Sequence, residues 1–79
     1  MKSVRARLEV GKEYILHSVG SYETRFVCVR RLLGDDYSAH NAELRNIWSG
    51  WTFTAHGVNM YEDGTIDWDF STNGRFENE

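Results

Sequence analysis

Proline is absent from the 79 residues and cysteine occurs once, as Cys28. A lone cysteine excludes an internal disulfide, the usual staple of small secreted domains, and a reducing cytoplasm is the compartment this composition fits. Cysteine-based structural zinc sets are excluded with it. No apolar run approaches the about 20 residues of a membrane span, and Met1 to Arg7 mixes charged with apolar residues where a signal peptide needs a continuous apolar stretch. Internal repeats, low-complexity tracts and linker-like segments are also missing, so 1–79 reads as one small domain.

Positive charge is scarce in one part of the chain. Met1 to Gly50 holds eight Lys/Arg against six Asp/Glu, whereas Trp51 to Glu79 holds one against six, for a net charge of −3. Nucleic-acid binders as a class carry the opposite balance, because phosphate contacts are made by Lys and Arg. What is present is core material: 41% hydrophobic and 14% aromatic residues. A chain this short buries only about 60 to 65% of its unfolded surface, so each large apolar side chain counts.

Periodicity points to strands. Val4 to Val10 alternates apolar with charged residues, which puts Arg5, Arg7 and Glu9 on a wet face. Glu13 to Val19 is β-favouring and ends at Gly20-Ser21. A two-residue type II′ turn there pairs Val19 with Tyr22, Ile15 with Phe26 and Tyr14 with Val27. Phe26 to Val29 is apolar on both faces, as in a central strand covered on each side. Gly34-Asp35-Asp36 signals the next turn.

Tyr37 to Trp48 supports two readings. Ser38 can cap a short helix with Leu44, Ile47 and Trp48 on one face, which is slightly favoured, or Tyr37 to Asn41 is a return strand followed by a loop.

The last third is the most legible. Trp51 to Ala55 alternates apolar with threonine and Ile66 to Phe70 alternates large apolar with aspartate, so both read as half-buried strands. Parity decides the turn between them. A two-residue Asp63-Gly64 turn would set Met60 opposite Asp67, whereas a three-residue Glu62-Asp63-Gly64 loop, with Gly64 left-handed, pairs Met60 with Ile66 and Val58 with Trp68. The inward set must then change parity between Ala55 and Val58, and Gly57 is the place for a bulge or sharp bend. The fold class is mainly β: a small antiparallel barrel of five or six strands, SH3-like or OB-like, with at most one short helix.

Catalytic signatures are weak. Cys28 with His17, His40 or His56 lacks the spacing of a nucleophilic triad and sits in the most apolar run. The histidines form no metal-ligand pair and the isolated glycines form no phosphate loop, so neither a metal nor a cofactor is expected. Asp67 and Asp69 share one strand face and, with Glu62 and Asp63 at the hairpin end, concentrate negative charge; alternate aspartates mostly keep a sheet soluble, and otherwise form an acidic docking face. Trp48 and Trp51 flank Ser49-Gly50, and one at a rim can anchor a partner or stack on a base. His56 falls beside the presumed bend as a rim residue making a backbone hydrogen bond.

The phrases Gly-Trp-Thr-Phe-Thr-Ala-His-Gly and Tyr-Glu-Asp-Gly-Thr-Ile-Asp-Trp-Asp-Phe-Ser, within Gly50 to Ser71, resemble small β-rich proteins encoded by bacteriophages and prophages. That resemblance implies a protein that binds and redirects a bacterial host protein. The expected function is therefore a non-catalytic protein-binding module meeting a basic partner surface through Asp67, Asp69, Glu62, Asp63, Trp48, Trp51 and His56. Two alternatives stand beside it: a single-stranded nucleic-acid binder using Trp48 or Trp51 with Arg5, Arg7, Arg25, Arg30 and Arg31, and a structural or assembly protein.

Overall fold

The computed structural model describes residues 2–18, 20, 22–31 and 40–76, with the backbone alone for 73–76. Six strands account for its regular structure: β1 (Ser3–Arg5), β2 (Glu13–Ile15), β3 (Arg25–Arg31), β4 (Ala42–Asn46), β5 (Trp51–Tyr61) and β6 (Ile66–Phe76). All named pairings are antiparallel, and no helix occurs among the described residues, so none there is long and apolar enough to cross a membrane.

β5 organises the sheet. One edge is paired with β6 along most of its length, while the other is shared, by β4 at 52–55 and by β1 at 59–61. From β4 the sheet continues to β3 and then β2. Just beyond β2, Leu16 bridges Ile66 in parallel and the His17 amide donates to the Ile66 carbonyl at 2.7 Å, so the far strand touches β6 at that point.

The β5–β6 hairpin has the register that parity demands. Met60 pairs with Ile66 and Val58 with Trp68, and the intervening loop is Glu62-Asp63-Gly64 with Gly64 at φ +86°. Gly57, at φ +71°, marks the change of edge: its amide donates to Asn41 Oδ1 at 3.0 Å and the Val58 amide to the His40 carbonyl at 2.9 Å. Phe53 and Ala55 face inward before it and Val58 after it.

The shift is carried by both strands, because paired residues share a face. Phe70, opposite His56, is thereby turned outward and is 49% exposed, contrary to its expected place on the dry face. β6 also absorbs an extra residue further on, since Thr54 pairs with Thr72 but Thr52 with Arg75.

Three other expectations are corrected. The β2–β3 register is Tyr14 with Phe26 and Ile15 with Arg25, one residue away from the type II′ prediction. It places two buried rings opposite each other, and the Leu16 amide continues it to the Thr24 carbonyl, so the connection is longer than two residues. The Val19–Tyr22 pair, the Gly34-Asp35-Asp36 turn and the Ser38 cap lie outside the described residues.

Neither reading of Tyr37 to Trp48 survives in its described part: Ala42–Asn46 is a strand paired on both sides. The helical stripe breaks up, with Leu44 fully buried and Trp48 71% exposed. In the N-terminal segment only Ser3–Arg5 is strand, and Val4 and Val10 are exposed while Leu8 is buried.

One core underlies the sheet. Leu8, Leu44, Val58 and Ile66 are its fully enclosed aliphatics, with Cys28, Ala42 and Ala55 between strands and Tyr14, Phe26 and Phe53 as its rings. On β3, Phe26 and Cys28 are buried while Val27 and Val29 are half-buried, so the strand is central without being sealed on both faces.

Candidate binding cleft

Three aromatic rings from three strands meet at the mouth of the core. Phe26 (β3) stands edge-on to Phe53 (β5) and to Trp68 (β6), with centroids 5.4 Å apart in each pair, and Phe53 lies 5.2 Å from Trp68. Edge-to-face pairs of this kind contribute about 0.5–1.5 kcal/mol each beyond area burial, so the rings hold one another in place. They floor a cleft of about 570 Å³, for which Trp51 supplies an apolar wall.

The rim is polar: Asn46 and Ser49 on one side, Ser71 and Thr72 on the other. Asn46 shapes its side through its own chemistry. Its Oδ1 accepts the Trp48 and Ser49 amides at 2.8 and 3.1 Å, and its carbonyl accepts the Gly50 amide at 2.9 Å, closing the β4–β5 link as an Asx turn. Ser49 Oγ then accepts the Trp51 amide at 3.1 Å. The turn throws Trp48 into solvent, away from the cleft, and sets the 38% exposed Trp51 against it.

The carboxylates lie elsewhere, on the outer face of β1, β5 and β6. Asp69 forms a 2.8 Å ion pair with Arg5, whose second Nη donates to the Gly57 carbonyl at 2.6 Å. Arg5 holds the Asp69 carboxyl below the usual carboxylate range and is itself pushed further up by it. Asp67 accepts from Asn59 Nδ2 at 3.0 Å and from the Tyr61 hydroxyl at 2.6 Å, and the latter bond raises the Tyr61 pKa.

Asp63 accepts the Thr65 hydroxyl at 2.6 Å and amide at 3.0 Å, which lowers its pKa, while Glu62 is exposed. Thr65 Oγ1 spends its proton on Asp63 and so accepts from His17 Nδ1 at 2.8 Å, and the His17 ring stacks on Tyr61 at 3.6 Å. Of the predicted acidic group, then, Asp69 is neutralised by a cation. Asp63 and Asp67 are held by neutral donors.

His56 does not make the expected backbone bond. Its Nε2 meets Thr72 Oγ1 at 2.8 Å, its ring stacks on Phe70 at 4.5 Å, and its Nδ1 is buried without a partner among the described residues. With Phe70, His40 and the Arg5–Asp69 pair it lines a second, smaller cleft of about 200 Å³. Cys28 is enclosed and burial raises its thiol pKa.

Among the described residues no group of three or more His, Cys, Asp or Glu side chains is placed to hold a metal ion. The cleft residues missed at the sequence level are Phe26, Asn46, Phe53 and Trp68, and Arg5 was expected in a phosphate-binding strip, not as the partner of Asp69; only the apolar run around Phe26 and the aromatic alternation around Phe53 hinted at a shared site. No protein-family model, curated protein or solved structure matches the chain.

Proposed function

We propose that this domain is a non-catalytic protein-binding module, a small SH3-like barrel left open along one seam, that seats an apolar side chain of a protein partner in its aromatic cleft. The supporting observation is the cleft itself: three mutually braced rings, a tryptophan wall and a hydrogen-bonding rim, still open to solvent. Partner-binding pockets combine such an apolar floor with a few polar groups at the edge. The resemblance of Gly50 to Ser71 to small phage proteins favours a bacterial host protein as that partner.

The arginine strip required for the single-strand nucleic-acid alternative is largely engaged. Arg5 pairs with Asp69, Arg25 with Glu23 at 2.6 Å and Glu13 at 3.4 Å, and Arg30 with Glu43 at 2.7 Å. Peptide display on the immobilised domain tests the proposal. The intact protein is expected to enrich segments bearing a large apolar side chain, and a folded Trp51→Ala variant is not; equal enrichment by both refutes it. An oligonucleotide titration in which binding weakens as salt rises would instead favour the nucleic-acid reading.

A further inference from the structure

Resting on the cleft reading, we infer that the partner enters as an added strand on the open edge of β6, with alternating apolar and basic side chains. β6 gives one edge to β5, and among the described residues its other edge is held only at Ile66, by Leu16 and His17. The main chain of the next six residues, Asp67 to Thr72, runs along the cleft, whose lining includes Trp68, Ser71 and Thr72. Unpaired strand edges are templates for another extended chain, and proteins usually blunt them with proline, lysine or a short length. β6 is eleven residues long without proline or lysine; its bulge falls after Thr72, and the charges on 67–72 are aspartates, which turn away apolar and acidic strands but admit a basic one.

The sides of this edge differ in chemistry. Toward the core lie Trp68 and the cleft; toward the outside lies Asp67, which is hydrogen-bonded to Asn59 and Tyr61 and shares Arg5 with Asp69, so that one cation faces two carboxylates, with Glu62 and Asp63 at the hairpin end adding negative charge. An added strand of about five to seven residues points successive side chains to opposite sides. Opposite 66–68, before the faces exchange at Asp69, it therefore presents apolar groups to the cleft and cations to Asp67; from Ser71 on, the alternation resumes one residue out of phase. A second copy of this chain fits poorly, since its own β6 carries no cation from Asp67 to Thr72 to set against Asp67.

Fluorescence anisotropy with a labelled peptide alternating valine and lysine, on the full chain, tests this. Binding is expected to weaken about tenfold when the edge-facing amides are N-methylated and to change little when the other alternate amides are. It should fall with Asp67→Asn, with Trp51→Ala, and with a peptide of equal composition written as a valine block followed by a lysine block. Equal effects of the two methylation patterns, with Trp51 dependence retained, overturn strand addition and leave the cleft reading standing. Loss of Trp51 dependence removes the cleft reading. A dimer with β6 amides protected from hydrogen exchange in the absence of peptide gives the edge to a second copy and overturns the inference.

Discussion

Gly57→Ala separates two energetic effects at the bend of β5. At φ +71° an alanine pays about 1–2 kcal/mol for the left-handed backbone. Its methyl group would also fall on Arg5 Nη1 and lie 2.6 Å from Asp69 Oδ2 and 2.9 Å from Asp69 Cγ, so the ion pair over the glycine must move. Gly64→Ala supplies the reference, because Gly64 has φ +86° and nothing within 4 Å of the added carbon. In a domain of this size 1 kcal/mol is about 4–8 °C of Tm, so Gly64→Ala should lower Tm by about 4–16 °C and Gly57→Ala by distinctly more. Thermal melts by circular dichroism measure both. In an Arg5→Ala, Asp69→Ala background the excess should vanish, since the atoms that the methyl meets are gone. If Gly57→Ala costs no more than Gly64→Ala, or if the excess persists in that background, the Arg5–Gly57–Asp69 arrangement is wrong.

Other expectations follow from the core and from the carboxylates. Leu44→Ala empties a fully buried site and should cost about 2–5 kcal/mol, read as a lower urea midpoint at unchanged m-value. The Cys28 thiol, enclosed and with its pKa raised, should resist maleimide at pH 7 and react once the chain is denatured; rapid labelling of the folded protein would place it outside the core. The folded-state pKa values of Asp63 and Asp69 are lowered, so their contribution to stability is fully present above their unfolded values near about 3.9 and disappears as pH falls through the folded ones. Tm should therefore drop in acid, and Asp69→Asn should show a smaller drop than the parent between about pH 4 and 2.

The hairpin of β5 and β6 was legible because its register is local: two alternating strands and one glycine leave a single loop length that keeps Met60 and Val58 beside Ile66 and Trp68. The β2–β3 register was not. Gly20-Ser21 suggested a tight turn, but the pairing is decided by burial of Tyr14 against Phe26 and by the bond from His17 to Ile66, which are tertiary contacts. Ala42–Asn46 likewise reads as helix former by propensity, and two flanking strands override that preference. At the candidate site, Trp51 was visible as a rim residue, but its company was hidden: Phe26, Phe53 and Trp68 come from three strands and share no sequence pattern. The acidic residues were expected to act as one docking group, whereas the cation that pairs with Asp69 lies 64 residues away in the chain.

The indole N–H resonances of Trp48, Trp51 and Trp68, followed by nitrogen–proton NMR as a cleft-binding peptide is added, test the central claim most directly. Trp51 and Trp68 line the cleft and Trp48 does not, so the first two should shift in a saturable way and the third should stay in place. Movement of Trp48 alone would put the interaction surface on the exposed β4–β5 turn and contradict the account.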